Sequence, residues 1–215
     1  MNGLLRRWFG PRASPPARWV VLDVESSGLD PHHDRLLAIA ALAVHVDNDR
    51  PCLRPADSFE VLLRQPAETS APDKANILVH GIGVGAQRQG LDPVQALSAF
   101  EAFIADDPLV AFHAPFDRVL IVRHLRALCG RRLHNRWLDL ADLAPAVCPD
   151  QRAHALDEWL AHFGITVAVR HQAAADTWAT AELLQRLWPL ARAQGCAADF
   201  ASIARMAASR RWLAS

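Results

Sequence analysis

Arg18-Trp-Val-Val-Leu-Asp23-Val-Glu25-Ser-Ser-Gly28-Leu-Asp30, followed after a short polar break by Leu36-Leu-Ala-Ile-Ala-Ala-Leu-Ala-Val-His-Val46, decides the fold of this chain. Trp19–Val24 is a short apolar run, bounded by turn chemistry at Ser26-Ser-Gly-Leu-Asp-Pro31, and reads as a strand. Leu36–Val46 is a second strand and Ser58–Leu63 a third, with a polar loop around Asp47–Arg50. Three successive strands with short links form an antiparallel meander. The periodicity then changes. Pro93–Ile104 places Val94, Leu97, Phe100, Phe103 and Ile104 on one helical face. Leu109–Phe112 is a short strand, Phe116–Leu128 a helix, Arg136–Leu140 a last strand, and helices follow at about 154–162, 173–193 and 197–208. The order predicts an α/β fold. Its mixed five-stranded sheet joins a three-stranded antiparallel meander to two parallel strands, flanked by helices.

The rest of the 215-residue chain sets bounds on function. Residues 1–17, with Pro11, Pro15 and Pro16, read as a flexible basic, proline-rich lead-in; 18–193 form one folded domain, and 194–215 a C-terminal helical extension. Lys plus Arg and Asp plus Glu both number 23, which argues against a protein that coats duplex DNA by bulk charge. A local basic patch remains open to it. Cys52, Cys129, Cys148 and Cys196 are scattered, with no C-x-x-C pair, as expected for reduced thiols and not for a zinc site. Residues 1–9 lack the apolar core of a signal peptide, and Leu36–Val46 is too short to span a bilayer. These features predict a cytoplasmic protein with no membrane partner.

Four acids and one histidine carry the chemistry. Asp23 and Glu25, two apart, project to the same face if the strand continues through them, roughly 6.6 Å apart along it. Asp117 follows Leu109-Val-Ala-Phe-His-Ala-Pro115-Phe; with Pro115 as the first helical residue, it lies in a first turn, where the helix dipole favours an acid. His171 precedes Asp176 by five residues, about 140° apart on a continuous helix. They can act together only if His171 lies on a loop before a helix starting near Gln172 or Ala173, with Ala173–Ala175 allowing close packing on the sheet. Each piece also fits an ordinary structural role: a solvated strand end, a helix-start acid, a loop histidine. If all four carboxylates converge, their repulsion requires a counter-charge, and divalent metal is the natural one.

Taken in order, these segments resemble the DEDDh 3′→5′ exonucleases, the group that includes the proofreading (epsilon) subunit of bacterial DNA polymerase III. Val21-Leu-Asp23-Val-Glu25-Ser-Ser-Gly28-Leu is similar to the first motif, Val110-Ala-Phe-His-Ala-Pro-Phe-Asp117 to the second and His171-Gln-Ala-Ala-Ala-Asp176 to the third. Val79-His80-Gly81-Ile82 and Trp137-Leu-Asp139-Leu resemble two flanking segments. The resemblance covers roughly residues 18–190 and implies an RNase H-like fold. It also implies a two-metal-ion hydrolase that releases nucleoside 5′-monophosphates from single-stranded 3′ ends. Asp23, Glu25, Asp117 and Asp176 would hold two Mg²⁺ or Mn²⁺ ions, and His171 would be the general base. Ser26, Ser27, Gly28, Leu29, His80 and His113 would contact substrate. The partners implied are single-stranded DNA or RNA and, in a proofreading or repair setting, a DNA polymerase; no small-molecule cofactor is implied. The sister subgroup places Tyr where His171 stands, and this chain has no tyrosine.

Phe112-His113 departs from the usual His-Asn pair of the second motif, which bears on substrate grip. DNA is the expected substrate. An RNA-directed enzyme like oligoribonuclease or ribonuclease T is the alternative, and a non-catalytic nucleic-acid-binding module a third. Two other features have bland readings. Gln95–Phe100 is similar to a sliding-clamp-binding peptide, but Leu97 and Phe100 fall on the apolar helix face. Arg118, Arg123, Arg126, Arg131, Arg132 and Arg136 read as a solvated face that could also guide a phosphate backbone.

Overall fold

The computed structural model describes residues 17–66, 77, 81–167 and 170–209. Its strands are β1 (Ala17–Ser26), β2 (Leu36–Asp47), β3 (Arg50–Leu62), β4 (Leu109–Ala111) and β5 (Trp137–Asp139). Its helices are α1 (Val84–Gln89), α2 (Pro93–Ile104), α3 (Ala114–His124), α4 (Leu140–Val147), α5 (Leu156–His162), α6 (Ala173–Ala193) and α7 (Phe200–Ser209). A π turn, Leu125–Cys129, extends α3. The sheet order is β3-β2-β1-β4-β5. β1 and β3 pair antiparallel with β2, and β4 pairs parallel with β1 and β5. This is the expected meander plus two parallel strands.

β1 is central and buried on both faces, so it reads as a continuous apolar run. Its side chains still alternate. Trp19 and Val21 enter the core beneath α4, α5, α6 and α7, whereas Val20, Leu22 and Val24 enter the core beneath α2 and α3. Asp23 and Glu25 continue the Trp19–Val21 face, toward α6. That helix is anchored by buried Leu183, Leu184, Leu187 and Trp188. Each such side chain contributes about 1.5–3 kcal/mol on burial, enough together to hold its first turn where a carboxylate is costly. α7, within the segment expected as a helical extension, joins the same core: the Phe200 ring lies 5.0 Å from that of Trp19.

Several expectations need correction. β3 starts at Arg50, not Ser58. Pro51 and Pro55 disguise it, and both are tolerated because β3 is an edge strand. The polar loop shrinks to a tight turn, with Asn48 and Asp49 both at positive φ. Val94 and Leu128 are exposed at 44% and 46%, and Ala96 takes the buried place that was assigned to Val94. α3 begins one residue before Pro115. The last strand ends at Asp139, and α4 follows directly on it. Asp139 caps α4 by accepting from the Ala141 amide at 2.9 Å. Pro145 hid that helix. In the clamp-like stretch, Leu97 and Phe100 are fully buried, as core packing requires. All four cysteines are unpaired. Among the described residues, no helix is long and apolar enough to cross a membrane.

Candidate active site

β1 runs through Asp23 and Glu25 to Ser26, in register with Ala40 and Ala38 of β2. The two carboxylates therefore do share a face, and the small partners leave room above them. α6 fills that room. Thr177 Oγ1 donates to the Ala40 carbonyl at 3.2 Å, fixing the first turn of α6 on β2. Asp176, 6% exposed, is thereby brought to the strand: one carboxylate oxygen from each of Asp23, Glu25 and Asp176 lies within 4.8 Å of the others. Of the three alanines expected to pack closely, only Ala173 is buried.

Asp117 reaches the site from the other side of β1. β4 ends at Ala111, so the first turn of α3 lies beside the end of β1, and the Val24 amide bonds the Asp117 carboxylate. Asp117 is 4% exposed. It stands outside the three-acid group but close enough to feel the Asp23 charge.

The electrostatics are those of uncompensated acids. Burial pushes Asp23 up to about 7, with the Arg170 guanidinium pulling the other way. Burial, then the Asp23 charge, push Glu25 up to about 8. Burial and Asp23 hold Asp117 well above the carboxylate range, against its own amide and that of Val24. Asp139 is also raised by burial, and its charge adds to the load on Asp117. Oxygen-only donors, crowded and reluctant to ionise, suit hard divalent cations.

Arg170, which sequence reasoning missed, sits among these acids. It pairs with Asp176 and, at 2.5 Å, with Asp157. Its one signal was adjacency to His171. The His171 backbone is left-handed, with φ of 61°, and its amide donates to Asp176 Oδ2 at 3.0 Å. His171 thus precedes α6 on a loop, exposed, and its ring is outside the acid group.

The remaining predicted residues divide. The Ser26 hydroxyl donates to the Gly28 carbonyl at 2.5 Å, and that of Ser27 to Asp34 at 2.9 Å. Both hydroxyls thus shape the loop after β1. Gly28 is required there, since a Cβ would lie 2.5 Å from the Asp34 carboxylate. Leu29 projects from this loop, 92% exposed. His113 caps α3 at φ of 62°, a left-handed position that Asn and His tolerate better than most residues. Its amide donates to Asp139 Oδ1 at 2.9 Å. His113 therefore meets the backbone requirement of the position where the resemblance expects Asn. His80 lies outside the described residues. Its neighbours Gly81 and Ile82 line a cleft of about 470 Å³ with Glu25, Gln172 and Ala173.

A mixed sheet with acids converging at the end of its central strand defines an RNase H-like exonuclease fold. A family profile described as exonuclease matches residues 20–184, and the chain belongs to that family. A DNA polymerase III subunit epsilon-like protein of Rhodobacter capsulatus is 33% identical over 180 residues, 82% of this chain and 24% of the relative. A PolC-type DNA polymerase III of Bacillus subtilis is 30% identical over 171 residues, 79% of this chain and 11% of the relative. The chain thus spans about a quarter or less of these relatives. Among solved structures, E. coli exonuclease I in complex with a dT13 oligonucleotide superposes with a TM-score of 0.68 at 18% identity, covering 83% of this chain and 42% of that one. Exonuclease I of Methylocaldum szegediense gives 0.64 at 20% identity, covering 82% and 43%.

Proposed function

We propose that the chain is a metal-dependent 3′→5′ exonuclease that releases nucleoside 5′-monophosphates from single-stranded DNA ends. The observation that carries this reading is the convergence of Asp23, Glu25 and Asp176, with Asp117 beside them, at the end of β1. Four carboxylates so placed, with Asp23, Glu25 and Asp117 raised in proton affinity, fit two divalent cations, Mg²⁺ or Mn²⁺. Such ions supply a nucleophilic water at neutral pH and neutralise charge on the leaving 3′ oxygen. Asp23, Glu25, Asp117 and Asp176 are the ligands in this reading. Arg170 then leaves Asp176 and turns to phosphate, since a guanidinium and a cation cannot share one carboxylate face cheaply.

His171 acts as the general base. Its exposed ring on the loop before α6 can turn over the acids and take the proton of the attacking water. The cleft beside Glu25 receives the terminal nucleoside, with Leu29 against its base and the loop at Ser26–Gly28 below. The His113 ring, exposed at the start of α3, contacts the next phosphate. The relatives named as DNA polymerase III proteins and the oligonucleotide-bound exonuclease I favour DNA over RNA. They also make a polymerase the first partner to test.

The test is digestion of a 5′-labelled strand with Mg²⁺ or Mn²⁺. Stepwise shortening with release of 5′-monophosphates is expected, and His171→Ala should lose nearly all of it while still binding Mn²⁺. An inert wild type, internal cutting, or a fully active His171→Ala would overturn the reading. A matched RNA strand in parallel decides the sugar preference.

A further inference from the structure

Beyond the acids, a cleft of about 700 Å³ lies between α3 with its π extension and the segment leading into β5. Arg118, Arg126, Arg132 and His134 line it, together with the half-buried ring of Trp137. The basic stretch of the sequence is sorted by the fold. Arg123 donates to the carbonyls of Pro31 and Asp34, Arg131 pairs with Glu101 at 2.8 Å, and the Arg136 guanidinium lies 4.8 Å from the centre of the Phe200 ring. Arg131 and Arg136 are exposed as well, but Arg118, Arg126 and Arg132 are the three that line the cleft, and among the described residues no carboxylate pairs with them. The π turn and the left-handed Gly130 after it carry the chain back so that Arg132 faces the same cleft as Arg118 and Arg126.

The cleft also joins the acids. Ala114 and Pro115 line its near end, three and two residues before Asp117. Asp139 lines it too, but its Oδ1 is occupied by the amides of His113 and Ala141. From Pro115 to Arg126 the helix face is about 16 Å long, at about 1.5 Å per residue. A stacked strand carries one charge per about 3.4 Å, so that length spans roughly four to five phosphates. Unpaired arginines with an aromatic ring between them are what a single strand needs: charge for the backbone, a π face for a base.

We propose that this cleft holds the single-stranded nucleic acid on the 5′ side of the scissile phosphate, feeding it toward Asp117. The proposal rests on the acids taking the 3′ end, and it explains how a chain of zero net charge grips a polyanion.

The test is anisotropy of a labelled 12-mer oligothymidylate with the full chain in EDTA, over a salt series, so that no cleavage intervenes. For Arg118→Gln/Arg126→Gln/Arg132→Gln, binding should weaken about tenfold or more. The slope of log K against log salt should shrink by about 2, near 0.7 per charge on a single strand. Each single Gln variant should shrink the slope by about 0.7, which also guards against misfolding of the triple one, whereas Arg131→Gln, which removes one charge outside the cleft, should leave the slope nearly unchanged. Unchanged affinity and slope, or an equal loss from Arg131→Gln, would overturn the proposal. Metal-dependent shortening by wild-type protein is read separately. Its failure removes the chemistry assigned to the acids and leaves the binding result to be judged on its own slope.

Discussion

β1 carries charge at both ends, and the fold handles the two ends in opposite ways. At its start, Arg18 bonds Asp57 through two nitrogens at 2.9 and 3.0 Å, Asp107 at 2.5 Å and the Phe103 carbonyl at 3.0 Å. His45 adds a contact to Asp57 at 2.8 Å. The Arg18 hydrogen bond, the largest cause, holds Asp57 below the carboxylate range, and Asp57 in turn raises Arg18. Five residues on, Asp23 begins a group of four acids; Arg170 pulls Asp23 and Glu25 down and pairs with Asp176, yet Asp23, Glu25 and Asp117 are all raised. A charge-balanced end stabilises the fold. An end left unbalanced, with its acids pushed toward neutrality, is where a ligand's charge is needed.

The contrast breaks most sharply by substitution. Asp23→Asn should cost turnover on the order of 10³-fold, because it removes a proposed metal ligand while keeping shape. Arg18→Met should leave turnover per folded molecule within a few-fold. Equal losses from both, in a labelled-strand assay, would erase the distinction.

Stability should show the reverse. Arg18→Met leaves Asp57 and Asp107 without their shared cation, a cost of about 2 kcal/mol after allowing for their partial exposure, or a melting point lower by roughly 5 °C. Asp23→Asn, measured without metal, should not lower it, since it removes repulsion.

A smaller effect sharpens the comparison through pH. Glu25 titrates near 8 in the folded chain and near 4.5 when unfolded, so the native state binds the extra proton. Metal-free stability contributed by this group is present below about 4.5 and is lost as pH rises toward 8. Glu25→Gln abolishes that loss, so its melting point should gain a few °C on wild type across that window. Asp57, held low, behaves oppositely: its contribution is present above about 3.8 and lost only as pH falls further. A constant difference between Glu25→Gln and wild type from pH 4 to 8 would refute the charge imbalance.

Much of this was legible before any coordinates. The ends of α2 and α6 fall where the pattern places them, because Asp92 caps the first amides of α2 and long apolar faces fix both helices. The same-face reading of Asp23 and Glu25 needs only a strand's two-residue period. What was not legible depends on neighbours remote in sequence. Pro51 and Pro55 argue against a strand unless it is known to be an edge. Pro145 hides α4 unless Asp139 is seen as its cap. Arg170 among the acids, and Arg118, Arg126 and Arg132 in one cleft, are products of tertiary folding that no local pattern encodes.

The account rests on the acid end of β1 being a cation site, and titration of the metal-free protein with Mn²⁺ near pH 8 tests that most directly. Two saturable sites in wild type and in Arg18→Met, with binding lost or reduced to one weak site in Asp23→Asn, is the predicted result. No saturable binding in wild type, or binding that Asp23→Asn leaves intact, would contradict it.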